Sequence, residues 1–158
     1  MSNLAPPRSR AAGGKRHFSI VASRFNGKYV RGLVDHATEE LQSLAPSAVI
    51  SLHQVPGAFE IPVVVREIAL QKKAEAILAL GVILQGKTSH AQNLARSVTD
   101  ALQQIAMEHG IPVINAVLSL ETETQARERC MGSEINRGTE AARAAIEIAN
   151  VMRDLRSN

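Results

Sequence analysis

The chain has 158 residues, about one domain's worth, enough to bury a core without disulfides or a structural metal. It contains no Trp, one Tyr and three Phe (Phe18, Phe25 and Phe59), so Ala, Val, Ile and Leu must do the packing. Residues 1–34 hold seven of the 18 basic side chains and no acid, and the rest carries 11 basic against 15 acidic; without interleaved aromatics or a basic helix face this excludes a convincing nucleic-acid surface.

Residues 1–16 (MSNLAPPRSRAAGGKR) are read as a flexible, solvated basic arm, with Pro and Gly where a signal peptide needs an apolar stretch. The remainder, 17–158, is expected to be a single domain. HFSIVA (17–22) is a short β-rich run, followed by the turn residues Asn26 and Gly27. YVRGLVDHATEELQSL (29–44) places Val30, Leu33, Val34, Ala37, Leu41 and Leu44 at helical spacing. A strand over 47–55 ends at Pro56-Gly57, and Pro62 suits the start of a helix over 62–73. EAILALGVIL (75–84) is a continuous apolar run, the pattern of a central parallel strand buried on both faces. A helix over 90–110 stops at Gly110, a fourth strand spans 112–118, and two helices (122–131 and 138–155) are separated near Gly132. Such alternation predicts a three-layer α/β/α sandwich around a four-stranded parallel sheet, flavodoxin-like in outline.

No run is apolar for long enough to span a bilayer, and the lone Cys130 rules out an internal disulfide, so a cytoplasmic protein without membrane attachment is expected. Cys130 itself reads as a small buried helical residue.

Residues 81–88, GVILQGKT, fit the phosphate-loop pattern G-x-x-x-x-G-K-[ST] letter for letter. The fit is accidental. Val82, Ile83 and Leu84 continue a buried strand, whereas a phosphate loop needs a turn of exposed amides there. What survives is Gly86 to His90, between a strand end and a helix start, where free amides, Lys87 and the Thr88 and Ser89 hydroxyls suit an anion.

Other unusual residues fall at the same edge of the sheet. Arg24-Phe25-Asn26 follows the first strand, Gly57-Ala58-Phe59-Glu60 the second and Ser119 to Thr122 the fourth. In open α/β sheets ligands bind outside the carboxyl ends of the strands. Phe25 is placed either to stack on a planar ring or to plug the top of the core; Glu60 is placed either to complement a helix dipole or to accept hydrogen bonds from ligand hydroxyls.

Taken together, Arg24-Phe25-Asn26, Val55-Pro56-Gly57-Ala58-Phe59-Glu60-Ile61-Pro62, Gly86-Lys87-Thr88-Ser89-His90 and Arg129 with Arg137-Gly138 closely resemble the 6,7-dimethyl-8-ribityllumazine synthase family over residues 17–152. The resemblance implies a transferase of riboflavin biosynthesis. It would condense 5-amino-6-(D-ribitylamino)uracil with 3,4-dihydroxy-2-butanone 4-phosphate, releasing phosphate and water, with neither metal nor organic cofactor. By position it implies that Phe25 stacks on the pyrimidine and that Asn26 and Gly57 bind substrate with it. Ala58, Phe59 and Glu60 would hold the ribityl chain and amines, and Ile83 and Leu84 would line the pyrimidine pocket. Lys87, Thr88 and Arg129 would bind phosphate, and His90 would move protons. Arg137 matches a position that is commonly Lys and would lie near the pyrimidine, as would Asn115.

The resemblance also implies a homopentamer that shares sites between neighbours, extended in some members to a sixty-subunit icosahedral capsid, and riboflavin synthase as a further partner. The compact turn Gly132 to Asn136 is similar to capsid-forming members, while Pro6-Pro7 weakens any N-terminal strand. Three positions depart from the family: Asn115 stands where an aromatic often covers the substrate, Ala91 replaces the aromatic after the histidine, and Gln85 replaces a common basic residue. Ring stacking is therefore expected to be one-sided. Without the resemblance, His90 is an ordinary helix-start residue and Arg129 in ETETQARER one member of a solvated charge pattern. A non-catalytic flavodoxin-like binding module and a purely structural shell subunit are the two readings of other classes.

Overall fold

The computed structural model describes residues 4–157, and every structural statement below is made of those residues. Strand β1 (His17–Ser23) leads into α1 (Gly27–Leu44), then β2 (Val49–Val55), a single 3-10 turn (Ala58–Glu60) and α2 (Ile61–Gln71). Strand β3 (Ala76–Leu84), α3 (His90–His109), β4 (Val113–Leu120), α4 (Glu123–Cys130) and α5 (Arg137–Ser157) complete the chain. The four strands form one parallel sheet in the order β2-β1-β3-β4. The expected four-stranded α/β/α sandwich is the one observed, with most element ends displaced by a residue or two.

Period-two alternation sorts the strand side chains into two cores. Phe18, Ile20, Leu78, Leu80, Val82, Leu118 and Leu120 face α1, α4 and α5, and Val21, Ile77, Ala79 and Ile83 face α2 and α3. Eight of the nine β3 residues are buried, since helices cover both of its faces. Edge strand β2 is largely exposed by contrast. This explains why 75–84 reads as an unbroken apolar run and 47–55 does not.

Small residues let the helices of the first core approach closely. A Cβ at Gly138 on α5 would lie 2.3 Å from the Leu33 carbonyl oxygen of α1, and one at Gly32 would lie 2.4 Å from the Cys130 carbonyl oxygen of α4. Backbone is the obstacle in both cases, so neither clash can be relieved by a side-chain rotation. Gly138→Ala is expected to lower stability by about 1–3 kcal/mol through overpacking, read as a shifted urea midpoint at unchanged slope.

Residues 8–16, which composition reads as a solvated arm, lie along α1 and α5. Arg8 Nε donates to Glu40 Oε1 at 3.1 Å, and Arg143 Nε reaches the other oxygen at 2.6 Å. Arg16 is 1% exposed, donates from Nε to Glu75 Oε2 at 2.6 Å, and bonds the Ala12 carbonyl and Asn150 Oδ1 through Nη1. Arg153 Nε holds the second Glu75 oxygen at 2.5 Å. Charge counting cannot see this pairing, because the acids that receive these arginines are remote in sequence.

Burial pushes the Glu75 carboxyl up, but the hydrogen bonds and charges of Arg153 and Arg16 outweigh it and hold the group below the usual carboxylate range. The folded carboxyl thus binds its proton more weakly than the unfolded one. Its stabilisation is complete above the ordinary carboxylate range and is lost as pH falls through the lowered value. Glu75→Gln, which leaves the Arg16 guanidinium buried without its counter-ion, is expected to cost about 2 kcal/mol at neutral pH. The deficit should shrink in acid, as thermal melts of both proteins between pH 7 and 3 would register.

Candidate active site

Four segments converge at the carboxyl edge of the sheet around a cleft of about 330 Å³. The turn after β1 contributes Phe25 and Asn26, and the 3-10 turn after β2 contributes Gly57, Ala58, Phe59 and Glu60. The end of β3 contributes Val82, Ile83 and Leu84, and the first turns of α3 contribute His90, Ala91 and Leu94. Nine expected site residues, together with Ala91, noted as a departure from the family, thus share one concavity. Val82 and Leu94 were not singled out. The signal for Leu94 was its position one helical turn beyond His90, which puts both on one face of α3.

Phe25 and Phe59 are each 70% exposed, whereas Phe18 is 1% exposed. Phe25 therefore does not plug the core. Its ring lies against Gly57, where a Cβ would stand 3.0 Å from ring atom Cδ2 and 3.6 Å from Glu60 Oε1. Glycine at 57 keeps a side chain out of the gap between ring and carboxylate. Glu60 flanks the start of α2, yet its side chain makes no capping hydrogen bond, which leaves the carboxylate available to the cleft.

Asn26 adopts the left-handed conformation (φ 56°, ψ 42°), and Gly27 is already helical. Its Nδ2 donates to the Val82 carbonyl oxygen at 2.7 Å.

The anion-suited segment is exposed from Gly86 to His90. Val82 to Leu84 belong to β3, in agreement with the rejection of a phosphate loop. Ser89 provides no side-chain cap to α3 and no acid lies in its first turn, so apart from a 3.4 Å contact between His90 N–H and Thr88 Oγ1 the helix start is open to an anion. The loop is tied behind by Gln85, whose N–H donates to the Leu120 carbonyl and whose Nε2 donates to Ser119 Oγ.

Three candidates lie elsewhere in the chain. Asn115 and Arg137 meet in a second cleft of about 250 Å³ that also includes Leu4 and Pro6 of the arm. The Asn115 amide donates to Thr99 Oγ1, and Arg137 pairs with Glu140 at 2.6 Å. Arg129 sits on α4, which packs with α1 and α5 on the sheet face opposite α3 and His90. Its side chain makes no ion pair or hydrogen bond among the described residues. The neighbouring Cys130 is buried, and burial pushes its thiol up to about 11 despite the Arg129 charge, so it stays protonated and inert at neutral pH.

Residues 15–153 match the model of the family described as 6,7-dimethyl-8-ribityllumazine synthase. A protein of that name from Halorhodospira halophila is 40% identical over 139 residues, 87% of this chain and 89% of the relative. One from Azoarcus sp. is 36% identical over 154 residues, covering 97% and 96%. Another, from Xanthomonas oryzae pv. oryzae, is 37% identical over 95% of this chain and 94% of its own. With residues 15–153 matched by the family model and these relatives 36–40% identical over most of the chain, the chain belongs to the 6,7-dimethyl-8-ribityllumazine synthase family.

Proposed function

We propose that the protein condenses 5-amino-6-(D-ribitylamino)uracil with 3,4-dihydroxy-2-butanone 4-phosphate to give 6,7-dimethyl-8-ribityllumazine, phosphate and water, as an enzyme of riboflavin biosynthesis. The observation that carries this reading is the single cleft uniting Phe25, the Gly57–Glu60 turn, the end of β3 and His90. Phe25 supplies a ring face for the pyrimidine, and Gly57, Ala58, Phe59 and Glu60 surround the ribityl chain and amines. Ile83 and Leu84 line the pyrimidine with backbone groups. Lys87 and Thr88, at the open start of α3, receive the phosphate with Arg129.

The chemistry needs no nucleophile from the protein, because the amine of one substrate forms a Schiff base with the carbonyl of the other. The protein aligns the two, holds the phosphate dianion and moves protons. His90 is the proton carrier in this reading, since histidine changes charge near neutrality and His90 borders the cleft.

A ring of five copies is part of the same proposal. Arg129 lies across the sheet from His90, and Asn115 and Arg137 lie in a separate cleft, so a neighbouring copy would bring them to the substrates. The turn between α4 and α5 is closed by Asn136 Nδ2 on the Cys130 and Gly132 carbonyls, and its compact length favours further assembly into a sixty-subunit shell. Riboflavin synthase, which consumes the product, is the proposed further partner, and the cytoplasm the proposed location. Among the described residues no helix is long and apolar enough to cross a membrane.

Incubation with both substrates should generate the fluorescence of the lumazine; a chain that binds them without turnover would be a binding module or shell subunit instead. Sedimentation should place the activity in pentamers or larger assemblies, and a fully active monomer would overturn the shared site. Arg129→Ala is expected to reduce kcat/KM by the equivalent of about 2–4 kcal/mol, because the dianion loses a charge-assisted partner. Arg129→Lys should recover only part, for want of the planar fork. His90→Ala should lose less and keep a measurable rate, since alignment carries the larger share. Near-normal kinetics in Arg129→Ala beside a dead His90→Ala would reverse both assignments.

A further inference from the structure

Asn26 and Lys72 are the two non-glycine residues with positive φ among those described. Lys72 merely ends α2. Asn26 stands between Phe25 and α1, gives α1 no side-chain cap, and sends its carboxamide across to β3. The acceptor it meets there has a defined place in the sheet. Ile77 N–H donates to the Pro112 carbonyl and Gln85 N–H to that of Leu120, so odd-numbered positions of β3 point towards β4. By the alternation of a parallel strand, Val82 points towards β1. Pairing of β1 with β3 ends at Ala22 opposite Leu80, so the Val82 carbonyl is the next acceptor on that side once β1 has turned away. Val82 is only 3% exposed, and an acceptor there needs a partner. The carboxamide of Asn26 takes the place of the departed strand.

The consequence reaches Phe25. That ring is 70% exposed and has no core packing to hold it. Its backbone N–H donates to the Pro56 carbonyl at 3.1 Å on one side, and on the other side the chain passes straight into the left-handed residue bonded to Val82. We propose that Asn26 is a positioning residue for recognition of the planar heterocycle: its left-handed turn and its bond to Val82 set the span between the Phe25 ring and the backbone end of β3. With its donor engaged on Val82, Asn26 acts on the ring of the ligand through Phe25. The inference rests on the reading of the cleft as the pyrimidine site.

Calorimetric titration of the full-length protein with 5-amino-6-(D-ribitylamino)uracil, and separately with inorganic phosphate, tests it. Asn26→Gly retains the left-handed backbone and removes the tie, and Asn26→Asp retains size and turn preference but removes the N–H donor. Both should raise the pyrimidine Kd about tenfold and leave the phosphate Kd within about twofold. In a Phe25→Ala background, Asn26→Gly should add less than about twofold, since the two residues act as one unit. An unchanged pyrimidine Kd in either single variant, an equal loss for both ligands, or a full additional loss without Phe25 would each overturn the tie. A wild-type chain that binds no pyrimidine would overturn the function and the tie together, whereas tight wild-type binding with indifferent variants would remove the tie alone.

Discussion

The burial of β3 on both faces is the constraint from which the rest of the architecture follows. Strand β3 has helices above and below it and parallel neighbours joined by crossovers, and crossovers return every strand to the same edge. Four chain segments are thereby delivered to one end of the sheet. The cleft is a by-product of that topology, and its chemistry is whatever residues the segments carry there.

At that edge the strands stop at different heights, and the difference is what opens a cavity. β1 leaves the sheet while β3 continues, which exposes a β3 carbonyl that Asn26 then satisfies. The residue that meets this backbone demand directly follows Phe25 at the mouth of the cleft. Gly57 contributes from the other side by leaving the Phe25 ring and the Glu60 carboxylate separated only by backbone.

The opposite end of the sheet is organised by charge. Two carboxylates, Glu40 and Glu75, each receive two arginines, one from the N-terminal arm and one from α5. The arm is therefore laid against the two helices that also meet at Gly138, and its first described residues reach the cleft of Asn115 and Arg137. The two carboxylates thus anchor the arm away from the cleft of Phe25 and His90.

Much of this was legible in the amino-acid sequence, for local reasons. Continuous apolar character marked β3, helical spacing marked α1 and α3, and Gly and Pro punctuation marked the turns, because each pattern reflects burial on one face or two. The edge that holds the cleft followed from the alternation of strands and helices, and Phe25, the Gly57–Glu60 turn and His90 lie there. What only the tertiary structure decided depends on distance through space. It paired Arg16 with Glu75 and Arg8 with Glu40, resolved Phe25 as an exposed ring, and engaged Asn26 on Val82. It also separated Arg129, Asn115 and Arg137 from the main cleft. Periodicity records which face of an element is buried; it holds no information about which remote residue will stand opposite, because that is set by the packing of helices across the sheet.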